Sequence, residues 1–257
     1  MTRRISIFAF GVVSYAIFFA VFLYAAGFVN NWLVPKSLDS GPAPSGMVAL
    51  AVNAGLLLLF GLQHSVMARP GFKAWWTRFV PVEAERSVYV LASSLAMIAL
   101  YAFWQPLPGI VYQLEHPLAF AAACGVCALG YLTVLYSTFL IDHFDLFGLR
   151  QSWLAVRNKP YVHRPFRTPS LYKYVRHPLY VGWLLFFWAT PVMTVGHLIL
   201  AVGITGYILV AVVFEERDLL NHFGADYRAW RARTGAFFPR LRSRSRRARP
   251  SGAVEAA

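Results

Sequence analysis

Charge is what this chain has least of. Asp, Glu, Lys and Arg make up 14% of its 257 residues, against 58% hydrophobic residues and a mean hydropathy of +0.52. A soluble domain of this size needs more charged surface, so the composition excludes an ordinary globular protein and points to a polytopic membrane protein. Acids are scarcer than bases, 11 against 24, leaving a net charge of +13. The basic residues stand between apolar runs, as on the cytoplasmic face of a membrane protein, and no nucleic-acid partner is expected. Cysteine is nearly absent. Cys124 and Cys127 lie one helical turn apart inside an apolar run, with no second pair and no nearby His. No disulfide framework exists, and the pair reads as small packing residues rather than a redox or metal motif. No HxxxH or HxxHH pattern occurs and no bound metal is expected; no internal repeat of 20–50 residues is visible.

What is abundant is long apolar sequence. A spanning helix needs roughly 20 mostly apolar residues. Candidate spans are 5–29, 46–66, 87–104, 117–140, 178–193 and 196–214. The start "MTRRISIFAF" has the basic, then apolar, order of a signal peptide, but its apolar run exceeds the roughly 7–15 residues of a signal core, so it reads as a retained first span. The fifth run is short, and Pro191 and Gly196 bracket a turn, so the last two runs form a helical hairpin, re-entrant or fully spanning. The expected fold is an all-α bundle of five or six spans. With a cytoplasmic N-terminus, 23 of the 24 Lys and Arg fall on the cytoplasmic side, and only Lys36 falls outside. An integral membrane protein of the bacterial inner membrane, with both termini cytoplasmic, is therefore expected. Residues 1–240 read as one domain, with its cofactor part at 170–240. Residues 241–257 read as a basic, disordered tail near lipid headgroups. The 141–177 segment is long enough to fold over a site.

Ionisable groups at the edge of a span are costly and therefore candidates for function. "GLQHS", residues 61–65, places His64 at the end of the second run, where it either caps its helix or faces a cavity. "FLIDHFDLFGLRQ", residues 139–151, brings Asp142, His143 and Asp145 out as the fourth run ends, with Gly148 stopping the helix. It reads either as a polar helix end or as a base. "YVRHPLYVGW", residues 174–183, opens the fifth run. Pro178 suits a first helical turn, and Arg176 and His177 then stand beside unsatisfied N–H groups that favour an anion. Tyr180 offers a ring and a hydroxyl. Gly182 removes a side chain one turn in, letting a ligand or a helix come close. The sixth run ends in "FEERDLL", where Glu215 and Glu216 sit at a helix end whose dipole disfavours acids, so they require partners.

The ordered pair "RHPLYVG" and "EERDLLNHFGADY" resembles the membrane methyltransferases of the isoprenylcysteine carboxyl methyltransferase and phospholipid methyltransferase group. Over residues 50–155, "GLQHSVMARPGFKAWW", "ERSVYVLASSLAM" and "IDHFDLFGLRQSWL" are similar to the nurim-like branch containing the methanethiol S-methyltransferases. The resemblance implies S-adenosylmethionine as methyl donor, bound by Arg176, His177, Pro178, Tyr180, Gly182, Glu215 and Glu216. It implies a small thiol, methanethiol, as acceptor and dimethyl sulfide as product. The prenylcysteine enzymes carry an arginine one turn before the paired glutamates; here Ala211, Val212, Val213 and Phe214 fill that stretch, which favours an uncharged acceptor. Methylation of a lipid amine or prenylcysteine, and a non-enzymatic nurim-like role, stand as alternatives. A thiol must be deprotonated to attack, so a base is needed. The candidates are Asp142, His143 and His64, with Asp145 as orienter. Membrane lipid is the expected surroundings; the oligomeric state is not legible.

Overall fold

The computed structural model describes residues 1–240; the tail expected over 241–257 lies outside the described residues. Among the described residues, five helices are long and apolar enough to cross a membrane. They are α1 (Thr2–Val29), α2 (Gly46–Ala68), α4 (Val82–Phe103), α5 (Pro117–Ile141) and α9 (Val195–Arg233). Between them lie α3 (Pro70–Trp76), α6 (His143–Leu146), α7 (Leu149–Val156), a 3₁₀ turn at Ser170–Lys173 and α8 (Pro178–Trp188). The only sheet among the described residues is a ribbon of β1 (Ile110–Gln113) and β2 (Val192–Thr194), antiparallel, with Ile110 opposite Thr194 and Gln113 opposite Val192. Large side chains such as Val13, Leu58, Leu132, Val202 and Val213 are exposed along the long helices. Such a girdle suits hydrocarbon rather than water.

Helix starts follow the sequence chemistry. Prolines open α3, α5 and α8, where a missing N–H removes no bond. Thr194 caps α9 by accepting from the His197 amide. Five of the six apolar runs are single helices, and the 178–193 run is not. Its α8 has 11 residues, about 16 Å of rise, roughly half of a bilayer's apolar core. Extended chain completes the distance: α8 starts at the end of the bundle where α5 finishes, and β2 pairs with the β1 loop at the opposite end. α9 has 39 residues, roughly 58 Å, so its second half projects past the apolar layer. It kinks at Gly224, whose φ of 55° belongs to the left-handed region.

α5 and α8 pack backbone against backbone. A Cβ on Gly182 would stand 2.7 Å from the Gly130 carbonyl oxygen and 2.8 Å from the Val134 amide nitrogen. The space left by Gly182 is thus taken by a helix, one of the two uses its sequence position allowed. At the end away from the basic loops, Phe28, Leu100, Trp104, Phe186 and Ala201 bury one another and tie α1, α4, α8 and α9 together. Cys127 is buried there and donates to Asn30 and the Phe186 carbonyl, a packing role; both cysteines are free.

Candidate active site

The basic end of the bundle collects every ionisable group singled out above. Its centre is Glu216, whose side chain is 8% exposed. Its Oε1 accepts from Arg176 Nε at 2.7 Å and lies 3.1 Å from His177 Nε2; its Oε2 lies 3.0 Å from Arg231 Nε. Both carboxylate oxygens are therefore engaged. Burial alone raises the carboxyl's pKa, but the His177 and Arg176 hydrogen bonds and the Arg176 and Arg231 charges outweigh it and hold the group below its usual range. Glu216 lies just past the apolar part of α9, which ends at Phe214. The acid expected to want a partner has three.

The C-terminal chain completes this clasp. Arg176 N donates to the Gly235 carbonyl at 2.8 Å and His177 N to Ala236 at 3.1 Å, while Arg176 Nη1 reaches the Thr234 carbonyl. The kink at Gly224 turns the end of α9 back far enough for this return. The first-turn amides of Leu179 and Tyr180 make no backbone hydrogen bond among the described residues. They are the N–H groups that α8 offers to an anion.

Glu215 is different. Its side chain is 43% exposed, His177 Nδ1 lies 3.9 Å from its Oε2, and the Tyr180 hydroxyl is close enough to feel its charge. Tyr172, on the 3₁₀ turn, lies close enough to feel the same carboxylate, and burial pushes its hydroxyl pKa up. An acid with free acceptor capacity between two phenol rings suits a cation such as a sulfonium or an ammonium. The two glutamates of one motif thus divide: Glu216 joins the elements, and Glu215 faces outward from the clasp.

Beyond Tyr180 a polar track enters the apolar layer. Tyr207 of α9 and Tyr89 of α4 are both within electrostatic range of the Tyr180 hydroxyl. Tyr89 Oη is 2.8 Å from His64 Nε2, and Ser93 Oγ is 3.0 Å from His64 Nδ1. The His64 ring stacks on Phe60 at 5.2 Å and meets the Tyr207 ring edge-on at 6.2 Å. Neither Tyr89 nor Ser93 makes a second side-chain hydrogen bond among the described residues. Each hydroxyl can turn from donor to acceptor, and neither tautomer of His64 is locked.

The third sequence cluster is held elsewhere. His143 is buried, stacked on Phe139 at 4.2 Å and edge-on to Tyr15 at 5.6 Å. Thr138 Oγ1 donates to the Leu135 carbonyl, so it accepts from His143 Nδ1, 2.7 Å away; Nε2 then accepts from Tyr15 Oη at 2.8 Å. This ring has a fixed tautomer and both nitrogens satisfied. Burial lowers its pKa, with Asp142 opposing. Asp142 caps α6 by accepting from the Asp145 amide and pairs with Arg164 at 2.8 Å. Asp145 pairs with Arg150 at 3.0 Å and accepts from Tyr161 at 3.0 Å. These acids strap the 157–169 chain against the end of α5. That chain reaches on to α9, where Phe166 packs on Phe223 at 5.2 Å. Arg86 joins the two regions, donating to the Leu146 carbonyl at 2.8 Å while its guanidinium covers the Tyr89 ring at 5.1 Å.

Tyr89, Ser93, Tyr207, Tyr172 and Arg231 went unmarked in the sequence. Arg86, Tyr89 and Ser93 recur at helical spacing on one face of α4, a signal that was present; Tyr207 is a single phenol in an apolar run and gave none. Among the described residues, no group of three His, Cys, Asp or Glu side chains is placed to hold a metal.

Comparison with known proteins adds a second line. The chain is 51% identical over 246 residues to methanethiol S-methyltransferase 2 of Bradyrhizobium diazoefficiens, covering 96% of this chain and 95% of that one. It is 49% identical over 240 residues to the methanethiol S-methyltransferase of Mycobacterium tuberculosis, covering 93% and 98%. Nurim of Sus scrofa is 32% identical over 181 residues, 67% of this chain and 69% of nurim. No family model and no solved structure matches.

Proposed function

The chain belongs to the methanethiol S-methyltransferase family, and from that premise we propose that it methylates methanethiol to dimethyl sulfide with S-adenosylmethionine as donor. The observation that carries this reading is the 51% identity, over nearly the whole of both chains, to an enzyme bearing that name. The donor set fits such a cofactor: free first-turn amides on α8 for its carboxylate, and Glu215 between Tyr180 and Tyr172 for its positive centres. Glu216, Arg176, His177 and Arg231 fix the two helices that carry those groups. Pro178 starts α8 there, and Gly182 lets α5 close behind it. When bound, S-adenosylmethionine supplies an electrophilic methyl group on a sulfonium.

The protein must supply position and a thiolate. We assign the base to His64. Tyr89 passes its own hydroxyl proton to His64 Nε2 as it accepts the proton of the thiol, leaving an imidazolium whose Nδ1–H donates to Ser93 Oγ. The Phe60, Tyr207 and Tyr89 rings around it give a small apolar thiol a dry seat reached from the bilayer. Of the other candidates, Asp142 serves here with Asp145 by holding the strap, and His143 by joining α5 to α1 through Thr138 and Tyr15, rather than by proton transfer. The basic end faces the cytoplasm of a bacterial inner membrane, where the cofactor is made.

The test is headspace analysis of methanethiol-fed cells expressing the chain. A dimethyl sulfide peak in the parent, lost by about 100-fold in His64→Gln at unchanged S-adenosylmethionine affinity, is expected. Turnover within a few-fold of the parent would remove His64 as base. No dimethyl sulfide from the parent, with methylated lipid in its place, would move the assignment to a lipid acceptor.

A further inference from the structure

α9 carries a second polar face that the proposed reaction does not use. Where the helix leaves its apolar stretch, Val212, Val213, Glu216, Arg217, Leu220 and Asn221 border an open groove of about 360 Å³, closed on its other side by Arg176 and Arg231. Val213 is 62% exposed, so the floor of the groove faces the lipid side of the bundle. Besides Val212, Val213 and Leu220, the border is three arginines, one asparagine and one acid. Glu216 is shared between Arg176 and Arg231, and Arg217 makes no ion pair or hydrogen bond among the described residues. The adjacent acids face elsewhere: Asp218 is paired with Arg69 at 3.1 Å on the α2 side, and Glu215 points to Tyr180. The groove therefore keeps an excess of two positive charges beside an apolar floor.

We propose that this groove binds the phosphate headgroup of an anionic phospholipid, with an acyl chain on Val212 and Val213 and the phosphate oxygens on Arg217 and Arg231. Three features select that ligand. The groove lies within one turn of Phe214, at the level where headgroups sit. A guanidinium fork matches phosphate oxygens in pairs. The excess charge favours phosphatidylglycerol or cardiolipin over a zwitterionic lipid. The site is separate from the donor site, because the Glu215 face of α9 is turned away from it. Arg176 and Arg231 nonetheless belong to both the groove and the Glu216 clasp, so an occupied headgroup site steadies the return of residues 234–237 over α8.

The experiment uses the full chain in phosphatidylcholine nanodiscs with and without phosphatidylglycerol, and native mass spectrometry of the lipid retained on release. The parent should keep phosphatidylglycerol, and Arg217→Gln should reduce its retention at least five-fold. Arg228→Gln, an equal charge loss farther along the exposed helix, should leave retention unchanged. Equal loss in both variants, or none in Arg217→Gln, overturns the site. A separate arm adds inorganic phosphate or glycerol phosphate to the phosphatidylcholine discs. If either is retained as well as phosphatidylglycerol, and is lost in Arg217→Gln, the ligand is a soluble phosphate and the lipid assignment falls.

Discussion

Glu215 and Glu216 are adjacent and chemically identical, yet the structure gives them opposite work. Glu216 is buried between two arginines and His177, so removing its charge leaves Arg176 and Arg231 without their counter-ion. Breaking a buried pair of this kind costs about 3–5 kcal/mol. Glu216→Gln should lower the melting temperature in detergent by several degrees, with cofactor binding lost as a consequence. Glu215→Gln, on a half-exposed side chain, should leave the melting temperature within about a degree but weaken S-adenosylmethionine binding roughly ten-fold if, as proposed, its charge meets the sulfonium. Calorimetric titration beside a thermal scan separates the two; equal melting in both variants would end the division. His143 gives a pH prediction. Burial holds its pKa below 6.5, so the folded ring resists the proton that the unfolded chain accepts. Its contribution is complete above pH 6.5 and is lost as pH falls from there through the folded value. Acidification from pH 7.5 to 5 should therefore lower the melting temperature more in the parent than in His143→Asn.

At the scale of elements, the α5–α8 crossing is the joint on which the site depends. Gly182 sits one turn after Pro178, and its backbone touches α5 with no room for a side chain. Gly182→Ala should destabilise by about 2 kcal/mol, since the obstructing atoms are backbone and cannot rotate away. It should also lower cofactor affinity by tilting Leu179 and Tyr180. Near-parent melting together with near-parent affinity would show that α8 can shift freely. The position illustrates what sequence could and could not provide. That 178–193 was apolar, began at a proline and needed a close neighbour was readable from "RHPLYVGW". That α8 stops after 11 residues and hands over to extended chain was not, because Trp188, Ala189 and Thr190 continue the same apolar composition. The pairing of β2 with β1 that supports this ending joins residues some eighty positions apart. For the same reason His64 was visible as a polar group in the wrong place, while Tyr89, Ser93 and Tyr207 were not. Their meaning depends on three helices meeting. The paired acids announced a need for partners, Arg176 and His177 among them, but Arg231 required the Gly224 kink, and a glycine gives no direction to the chain that follows it.

For the molecule as a whole, the decisive property is which end meets the cytoplasm. The helices run alternately, so the Arg69, Arg86, Arg150, Arg176 and Arg231 regions share one end and the 30–45 and 105–116 loops the other. The first end holds the proposed donor site, the His64 track and the groove proposed for lipid, and only a cytoplasmic placement gives the enzyme access to S-adenosylmethionine. The excess of basic residues there favours that side during insertion. Impermeant maleimide labelling of intact cells tests it. The unaltered chain is the blank, because Cys124 and Cys127 lie within α5, where a thiol in hydrocarbon does not form the reactive thiolate. Ser45→Cys, exposed at the start of α2, should label in intact cells. Ala225→Cys, exposed just past the kink in α9, should label only after the membrane is opened. The reverse pattern would place the Glu216 clasp outside the cell, away from any supply of the cofactor, and the proposed reaction could not proceed there whatever the geometry of its residues.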